Sequence, residues 1–518
     1  MKVALGLALV LVTGFPASSA QLPKDCKPPT DVEHATRDSP SAKVYGQIGN
    51  WFEEQGNPKC ALSAYEVAIQ LEPHSAEAHY NLGAARLRAQ QPTAAVTEFR
   101  LALQYKPDMA LAHSSLGSAL TELGKSAEAE SEFLQALRLD SQLVPALVGL
   151  GMVRANQGDN AGAEKLLRQA LEIDVNDEKA HLNLGLVLAR QQKFTEAEAE
   201  VDRALKLAPN DPLALAAAGR VKVRLGKNAE GIALVRRAAA LAPQSAVVHL
   251  DLGMVLAESY DLEGALTENS KAVHLAPTYA LAHLGRGRVL LDLGRNEEAK
   301  PDLEVASRLA PGMSEPYYFL AVIEKQAGHY SRAVALLKNV IKLQPENATA
   351  WNWLGQCYES TEQIPEAVAA WRHALALEPD NTQVLWALSR AVKRTDPDEA
   401  ARLTARYSEV QNKRRIADEA GALGNDALAA GKAHDWPEAI RQFQKAIEVC
   451  GDCAIKADLH KKLGLTECQM GDIEKGELEL RQAQTLKPAD PDIERALERI
   501  ALARGKGSAS DPNRQKAN

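Results

Sequence analysis

Apolar residues recur along this chain at helical spacing, in pairs of short stripes that repeat every 34 residues. One unit shows the two stripes as Tyr80, Leu82, Ala85 and Leu87, followed by Ala95, Val96, Phe99, Ala102 and Leu103. The polar break at Gln91-Pro92 separates them. Each unit is therefore predicted to be two antiparallel helices joined by a short turn.

Small residues hold this register through ten consecutive units. Glycine marks the first helix of most units, at Gly49, Gly83, Gly117, Gly151, Gly185, Gly219, Gly253, Gly287 and Gly355. Alanine follows where the second helix must approach the first, and proline ends eight of the ten units. Because one hairpin cannot bury its apolar stripe alone and stacked neighbours can, the pattern predicts an all-α solenoid.

The repeat resembles the tetratricopeptide family. The run "WNWLGQCY", from Trp351 to Tyr358, matches the first half of that family's pattern. The same unit is completed by Ala367, Trp371, Ala374 and Pro379. The resemblance covers residues 42–381 and implies a right-handed superhelical solenoid of stacked 34-residue helix-turn-helix repeats.

Changes in the repeat pattern and in composition suggest the domain organisation. After residue 381 the pattern weakens, since Ser389 replaces the glycine and Asp396-Pro397 interrupts the unit. The predicted segments are a signal peptide (1–20), an extended N-terminal flank (21–41), ten consecutive repeats (42–381), a degenerate helical pair (382–419), two further repeats (420–490), and a capping helix with a disordered tail (491–518).

The N-terminal twenty residues have the pattern of a secretory signal peptide. Lys2 precedes an apolar run, and Ser18-Ser19-Ala20 offers small residues at a cleavage point. The run is too short to span a membrane, and no later stretch is long and apolar enough. We expect an exported protein, periplasmic or extracellular; an uncleaved anchor is the alternative.

Composition narrows the class of protein. With 46% apolar residues the chain can bury a core, and its net charge of −8 argues against a nucleic-acid partner. The catalytic and nucleotide-binding motifs G-x-S-x-G, H-E-x-x-H, G-x-x-x-x-G-K-[ST] and G-x-G-x-x-G are all missing. Repeats and flanks use nearly the whole chain, so we expect no enzyme activity, no cofactor and no metal.

Histidines and cysteines are the residues most open to a chemical role. Five histidines share one repeat position: His79, His113, His181, His249 and His283. A row of metal sites is one interpretation, but helices packed about 8–10 Å apart cannot easily place two such rings on one ion, which favours a packing role for the histidines.

The cysteines allow two disulfides. Cys26 can pair with Cys60, and Cys450 can pair with Cys453 in a local disulfide. Free thiols, or a redox or metal role, are the alternatives for the second pair.

The resemblance also implies a binding surface. In this family the first helix of each unit lines a concave groove. Carried onto this chain, the groove positions include Tyr80, Arg88, Met152, Leu186, Arg190, Arg220, Arg224, Met254, Arg288 and Tyr318. Apolar pockets beside fixed guanidiniums suit an extended peptide with apolar anchors and acidic groups, although the same apolar residues can also serve only to pack repeats.

The sequence thus predicts a non-catalytic scaffold that binds a peptide or protein segment. The alternative is an accessory subunit of an envelope, secretion or glycan-handling enzyme complex. Aromatic faces would mark a sugar groove, but Tyr80, Tyr318 and Trp353 are few and scattered in the sequence. Changing Arg220 and Arg224 to Glu is expected to weaken partner capture with little loss of stability. Oligomeric state stays open.

Overall fold

A computed structural model of the protein describes residues 21–29 and 40–509. The predicted signal peptide, residues 30–39 of the N-terminal flank and the last nine residues lie outside this part. The described residues form helices and connecting turns, without a strand. The chain divides into two compact units, Met1–Leu309 and Ala310–Asn518.

The first unit is a stack of helix hairpins. Its helices are α1 (Ala42–Glu54), α2 (Pro58–Leu71), α3 (Ala76–Arg88), α4 (Pro92–Tyr105), α5 (Ala110–Glu122), α6 (Ser126–Leu139), α7 (Val144–Asn156), α8 (Asn160–Ile173), α9 (Glu178–Arg190), α10 (Phe194–Leu207), α11 (Pro212–Arg224), α12 (Asn228–Leu241), α13 (Ala246–Glu258), α14 (Leu262–Leu275), α15 (Ala280–Asp292) and α16 (Asn296–Leu309). Each odd-numbered helix packs on the next helix, and each hairpin packs on its neighbours. The prediction of an all-α solenoid of stacked hairpins is confirmed.

The small residues set how closely paired helices approach. A Cβ added to Gly185 would lie 2.5 Å from Cγ1 of Val201 on the partner helix, closer than real contacts allow. Most first helices of this unit begin at a side-chain cap such as Asp177, whose carboxylate accepts the Ala180 N–H at 2.6 Å. The hairpin turn needs a positive φ, which glycine supplies in most repeats and Tyr260 supplies with φ of 64°.

The repeated histidines are structural. In each case ring Nδ1 lies 2.6–2.7 Å from a carboxylate oxygen 19 residues later, on the second helix of the same repeat. The pairs are His79–Glu98, His113–Glu132, His181–Glu200, His249–Glu268 and His283–Asp302. Nε2 lies 3.0–3.1 Å from the main-chain oxygen six residues earlier, and must donate because that oxygen only accepts. Each ring therefore ties the incoming loop to both helices of its hairpin.

The second unit continues the hairpins and then departs from them. Its helices are α17 (Ser314–Gln326), α18 (Tyr330–Leu343), α19 (Ala348–Ser360), α20 (Ile364–Leu377), α21 (Thr382–Val392), α22 (Pro397–Lys432), α23 (Trp436–Cys450), α24 (Lys456–Met470), α25 (Ile473–Leu486) and α26 (Pro491–Ala509). The 36-residue α22 is continuous across the boundary predicted at 419/420, so one helix serves both the degenerate pair and the next repeat. The last helix reaches Ala509, so it takes up about two thirds of the segment predicted as a capping helix with a disordered tail.

No helix in residues 21–29 and 40–509 combines the length and apolar character that a membrane span requires.

Candidate functional site

The residues predicted to line a groove all lie on the first helices of their repeats. Nine belong to the first unit, on α3, α7, α9, α11, α13 and α15, and Tyr318 belongs to α17 of the second. In the first unit, neighbouring odd-numbered helices from α7 to α15 contact one another, so their outward side chains form one surface. We call this surface of the first unit, built by α1 to α15 in odd steps, the first-helix face.

Five of the predicted residues surround one cavity on the first-helix face, between α9, α11 and α13. The cavity has a volume of about 240 Å³. Its wall consists of Leu186, Ala189, Arg190, Phe194, Ala217, Arg220, Val221, Arg224, Met254, Val255 and Glu258. It is smaller than the roughly 300–1,000 Å³ of typical small-molecule sites, and is closer to the size of one large side chain from a partner.

Apolar side chains continue the surface beyond this cavity. Met254 is 40% exposed, and Leu213, Val247 and Leu281 are 52, 43 and 41% exposed on consecutive first helices. Each of these three lies seven residues before a predicted groove residue on the same helix and so shares its side of the helix. The predicted groove residues do not include them, although they share one repeat position in three successive units.

Two of the arginines at the cavity are paired with carboxylates of the next repeat. Arg220 Nη1 donates to Asp251 Oδ1 at 2.9 Å, and Arg224 Nη1 donates to Glu258 Oε1 at 3.3 Å. Burial raises the pKa of Asp251, and the Arg220 guanidinium opposes that shift only in part. Arg220→Glu would therefore place a second carboxylate against a buried one, and we now expect it to cost stability.

The other arginines of the first-helix face divide into one paired and two unpaired guanidiniums. Arg88 donates to Glu53 in an ion pair. Arg190 Nη1 donates to the main-chain oxygen of Ala155 at 2.8 Å, at the carboxyl end of α7, where a cation suits the helix dipole. Arg288 is exposed. Neither Arg190 nor Arg288 has an ion-pair partner among residues 21–29 and 40–509.

The aromatic residues are less scattered than the sequence suggests. Tyr318 and Trp353 stack with ring centroids 5.0 Å apart and planes 19° from parallel. The Lys325 ammonium lies 4.9 Å from the Trp353 ring centroid. Trp353 thus already makes a stacking and a cation–π contact, which lowers its value as a sugar platform. Tyr80 packs against Phe99 at 5.9 Å.

The cysteines form two disulfides in the structure. Cys26 is joined to Cys60, and Cys450 to Cys453. Cys357 is free and buried, and Cys468 is free and half-buried. Burial raises the pKa of both free thiols, which disfavours reactive thiolates. Within the described part of the chain, no group of three or more potential ligands is arranged to hold a metal ion.

Comparison with known families agrees with the repeat architecture. The tetratricopeptide repeat model matches residues 48–108, 85–144, 148–212, 216–280 and 318–382, more than half of the chain. The chain belongs to the tetratricopeptide repeat family. Proteins of this family are generally non-catalytic scaffolds that bind other proteins. No curated protein matches the chain significantly.

Several solved structures are similar at low identity. A tetratricopeptide repeat protein from Parabacteroides merdae is 18% identical with a TM-score of 0.39, over 48% of this chain and 98% of that one. The APC/C hetero-tetramer Cut9–Hcn1 is 15% identical with a TM-score of 0.44, over 90 and 92%. The human IFIT1 dimer with m7Gppp-AAAA is 16% identical with a TM-score of 0.44, over 68 and 94%. These values say nothing about a partner for this chain.

Proposed function

We propose that this protein is a non-catalytic scaffold that binds an extended peptide or protein segment along its first-helix face, outside the cytoplasm. The observation that carries the proposal is the cavity between α9, α11 and α13. It combines partly exposed apolar walls with guanidiniums at a site large enough for one side chain. Stacked repeats commonly use such extended surfaces for binding.

The chemistry of the cavity favours a segment with an apolar anchor and a nearby acidic group. Leu186 and Met254 supply apolar surface that loses contact with water when a partner side chain enters. Arg190 keeps N–H donors beyond those bonded to α7, because a guanidinium has five. A carboxylate beside the anchor would accept from those donors in a charge-assisted hydrogen bond.

The proposal of export rests on the N-terminal sequence and on the cysteines. The sequence of residues 1–20 favours a cleaved signal peptide. The two disulfides support the same view, because such bonds persist mainly in oxidising compartments. Amino-terminal sequencing of the mature protein from its native host should begin at Gln21; a chain beginning at Met1 would refute cleavage.

Cross-linked affinity capture from the native envelope or secreted fraction tests the binding proposal. The bait is the mature chain, and the matched variants are Met254→Glu at the cavity and Tyr260→Glu at the adjacent turn, where the side chain is 91% exposed. We expect a protein that is enriched on the wild type and on Tyr260→Glu, cross-linked to α9–α13, and lost on Met254→Glu. Equal capture by both variants, or no enrichment, would contradict the proposal.

A further inference from the structure

We propose that the bound segment carries two acidic groups, one for Arg190 and one for Arg288, separated by an apolar stretch. This inference rests on the proposed function, because it specifies the chemistry of the segment on the first-helix face. It follows from which arginines on that face lack a carboxylate partner and from how far apart their helices lie.

The arginines of the first-helix face differ in whether a carboxylate already binds them. Arg88, Arg220 and Arg224 each pair with a carboxylate of a neighbouring repeat, so a partner's carboxylate would compete with one already in place. Arg190 is held by the main-chain oxygen and the side-chain amide at the end of α7, neither of which carries a charge. Arg288 has no ion pair among the described residues. These two guanidiniums can therefore gain most from an incoming carboxylate.

Acidic residues of the protein do not neutralise the two positions. Glu258 on α13 pairs with Arg224. Asp292 lies one helical turn after Arg288 on α15, but the two form no ion pair within the described residues. Among the predicted groove arginines, Arg190 and Arg288 thus have no carboxylate partner within the described residues, and the paired Arg220 and Arg224 lie between them.

Apolar side chains also lie on the helices between the two cations. The exposed side chains of Leu213, Val247 and Leu281 lie on α11, α13 and α15, and the cavity containing Met254 opens beside them. A segment that crosses from Arg190 to Arg288 passes the cavity with Met254, while Leu213, Val247 and Leu281 lie about two turns nearer the starts of their helices on the same side. Its central residues should therefore be apolar, while its two acidic groups lie near the ends.

The repeat spacing sets the length of that segment. From α9 to α15 the surface crosses three repeats, and packed helices lie about 8–10 Å apart, which gives roughly 24–30 Å. An extended chain advances about 3.3–3.6 Å per residue, so the acidic groups should be about seven to nine residues apart.

The test uses synthetic, fluorescein-labelled peptides with acetylated and amidated ends. Each has two glutamates that flank alternating leucine and serine, at separations shorter than, within and longer than the inferred range. Binding to the full mature chain is measured by fluorescence anisotropy. We expect the in-range peptide to bind most tightly, and its version with glutamine in place of both glutamates to bind at least about tenfold more weakly.

Protein variants locate the contacts. Arg190→Gln and Arg288→Gln should each weaken the in-range peptide by about tenfold or more and remove the preference for spacing. Arg236→Gln removes the same charge from exposed surface of α12 and should bind as the wild type does. Arg190→Lys, which keeps the charge but loses the fork, should fall between the two. Circular dichroism checks that each variant is folded.

The outcomes separate this inference from the proposed function. Peptide binding that is lost on Met254→Glu but is independent of spacing and of Arg190 and Arg288 would overturn the two-acid inference and leave the binding face intact. Failure of every peptide to bind would overturn the inference too. The proposed function would fall with it only if affinity capture also showed no dependence on Met254.

Discussion

The carboxylate of Glu467 on α24 should make the second unit less stable as pH rises. Its side chain is 3% exposed, and Oε2 has no hydrogen-bond partner in the described part of the chain. Burial, and then repulsion from Glu479 and Asp472, raises the pKa of Glu467 from 4.5 to about 7. The folded state therefore holds a proton that the unfolded chain releases at lower pH, so stability falls as pH rises from about 4.5 to 7.

The size of the effect follows from the shift in pKa. Each pKa unit corresponds to 1.36 kcal/mol, so a shift of about 2.5 units costs about 3 kcal/mol at pH 8. Glu467→Gln keeps the shape of the neutral acid and cannot ionise. It should be nearly neutral at acidic pH and should stabilise the protein at pH 8, with a change of about 2–3 kcal/mol between pH 5 and pH 8.

Urea unfolding at pH 5 and pH 8, followed by circular dichroism, measures this change as the difference between variant and wild type. Taking that difference cancels the titrating groups that do not interact with residue 467. The control is Glu474→Gln, an exposed carboxylate on α25, which should change stability little at either pH. If Glu467→Gln differs from the wild type by the same small amount at both pH values, the pKa of Glu467 is not raised in the folded protein.

Three further predictions follow from the packing. Gly355→Ala should lower the free energy of unfolding by about 1–3 kcal/mol, because the new Cβ would lie 2.5 Å from a buried tryptophan ring; Gly312→Ala, with no atom within 4 Å, is the control, and equal urea midpoints would refute the close contact. His181→Leu should cost about 1–3 kcal/mol by removing the ring bonded to the Glu200 carboxylate, and adding Glu200→Leu should recover most of that loss in urea unfolding. Alkylation of the unfolded, unreduced protein should label two of the six cysteines by mass spectrometry, and more than two would argue against one of the disulfides.

The fold was predictable because each hairpin contacts only its neighbours. The residues that decide its shape, such as Gly185 and Val201, lie within one repeat length of each other, so a 34-residue pattern contains nearly all of the packing. The irregular stretch after residue 381 was harder to predict. There the helix α22 has no break between its two roles, and the sequence pattern alone did not show that it is continuous.

The carboxylate partners of the histidines can also be read from the sequence, although they were not among the predictions. Where the fourth repeat position is histidine, the residue 19 later is acidic, as in His181 and Glu200. Where it is leucine, as at Leu147, the later residue is Leu166. The two repeat positions therefore change together, either to histidine and a carboxylate or to two leucines. Such a paired change between repeats indicates that the two side chains are in contact.

The ionic partners on the first-helix face could not be predicted in the same way. The repeat register placed the arginines on the correct helices, but it did not show whether each side chain bonds to the preceding or to the following repeat. Arg224 reaches forward 34 residues to Glu258, whereas Arg88 reaches back 35 residues to Glu53. A long arginine side chain can reach either neighbouring repeat, and it bonds to the one that has a carboxylate within reach. The positions of these carboxylates therefore decide which guanidiniums remain available to a partner.

Because α22 is one continuous helix shared by two hairpins, the number of residues between its two packing surfaces fixes the angle between them about the helix axis. Its first half packs through Ala400 and Val410, and its second half packs through Ala420, Gly424 and Ala427. Each residue turns an α-helix by about 100°, since a turn takes 3.6 residues. Deleting one residue from the exposed middle of α22 would rotate every later contact of the second unit by that angle, whereas the turn between two ordinary repeats could absorb the same deletion.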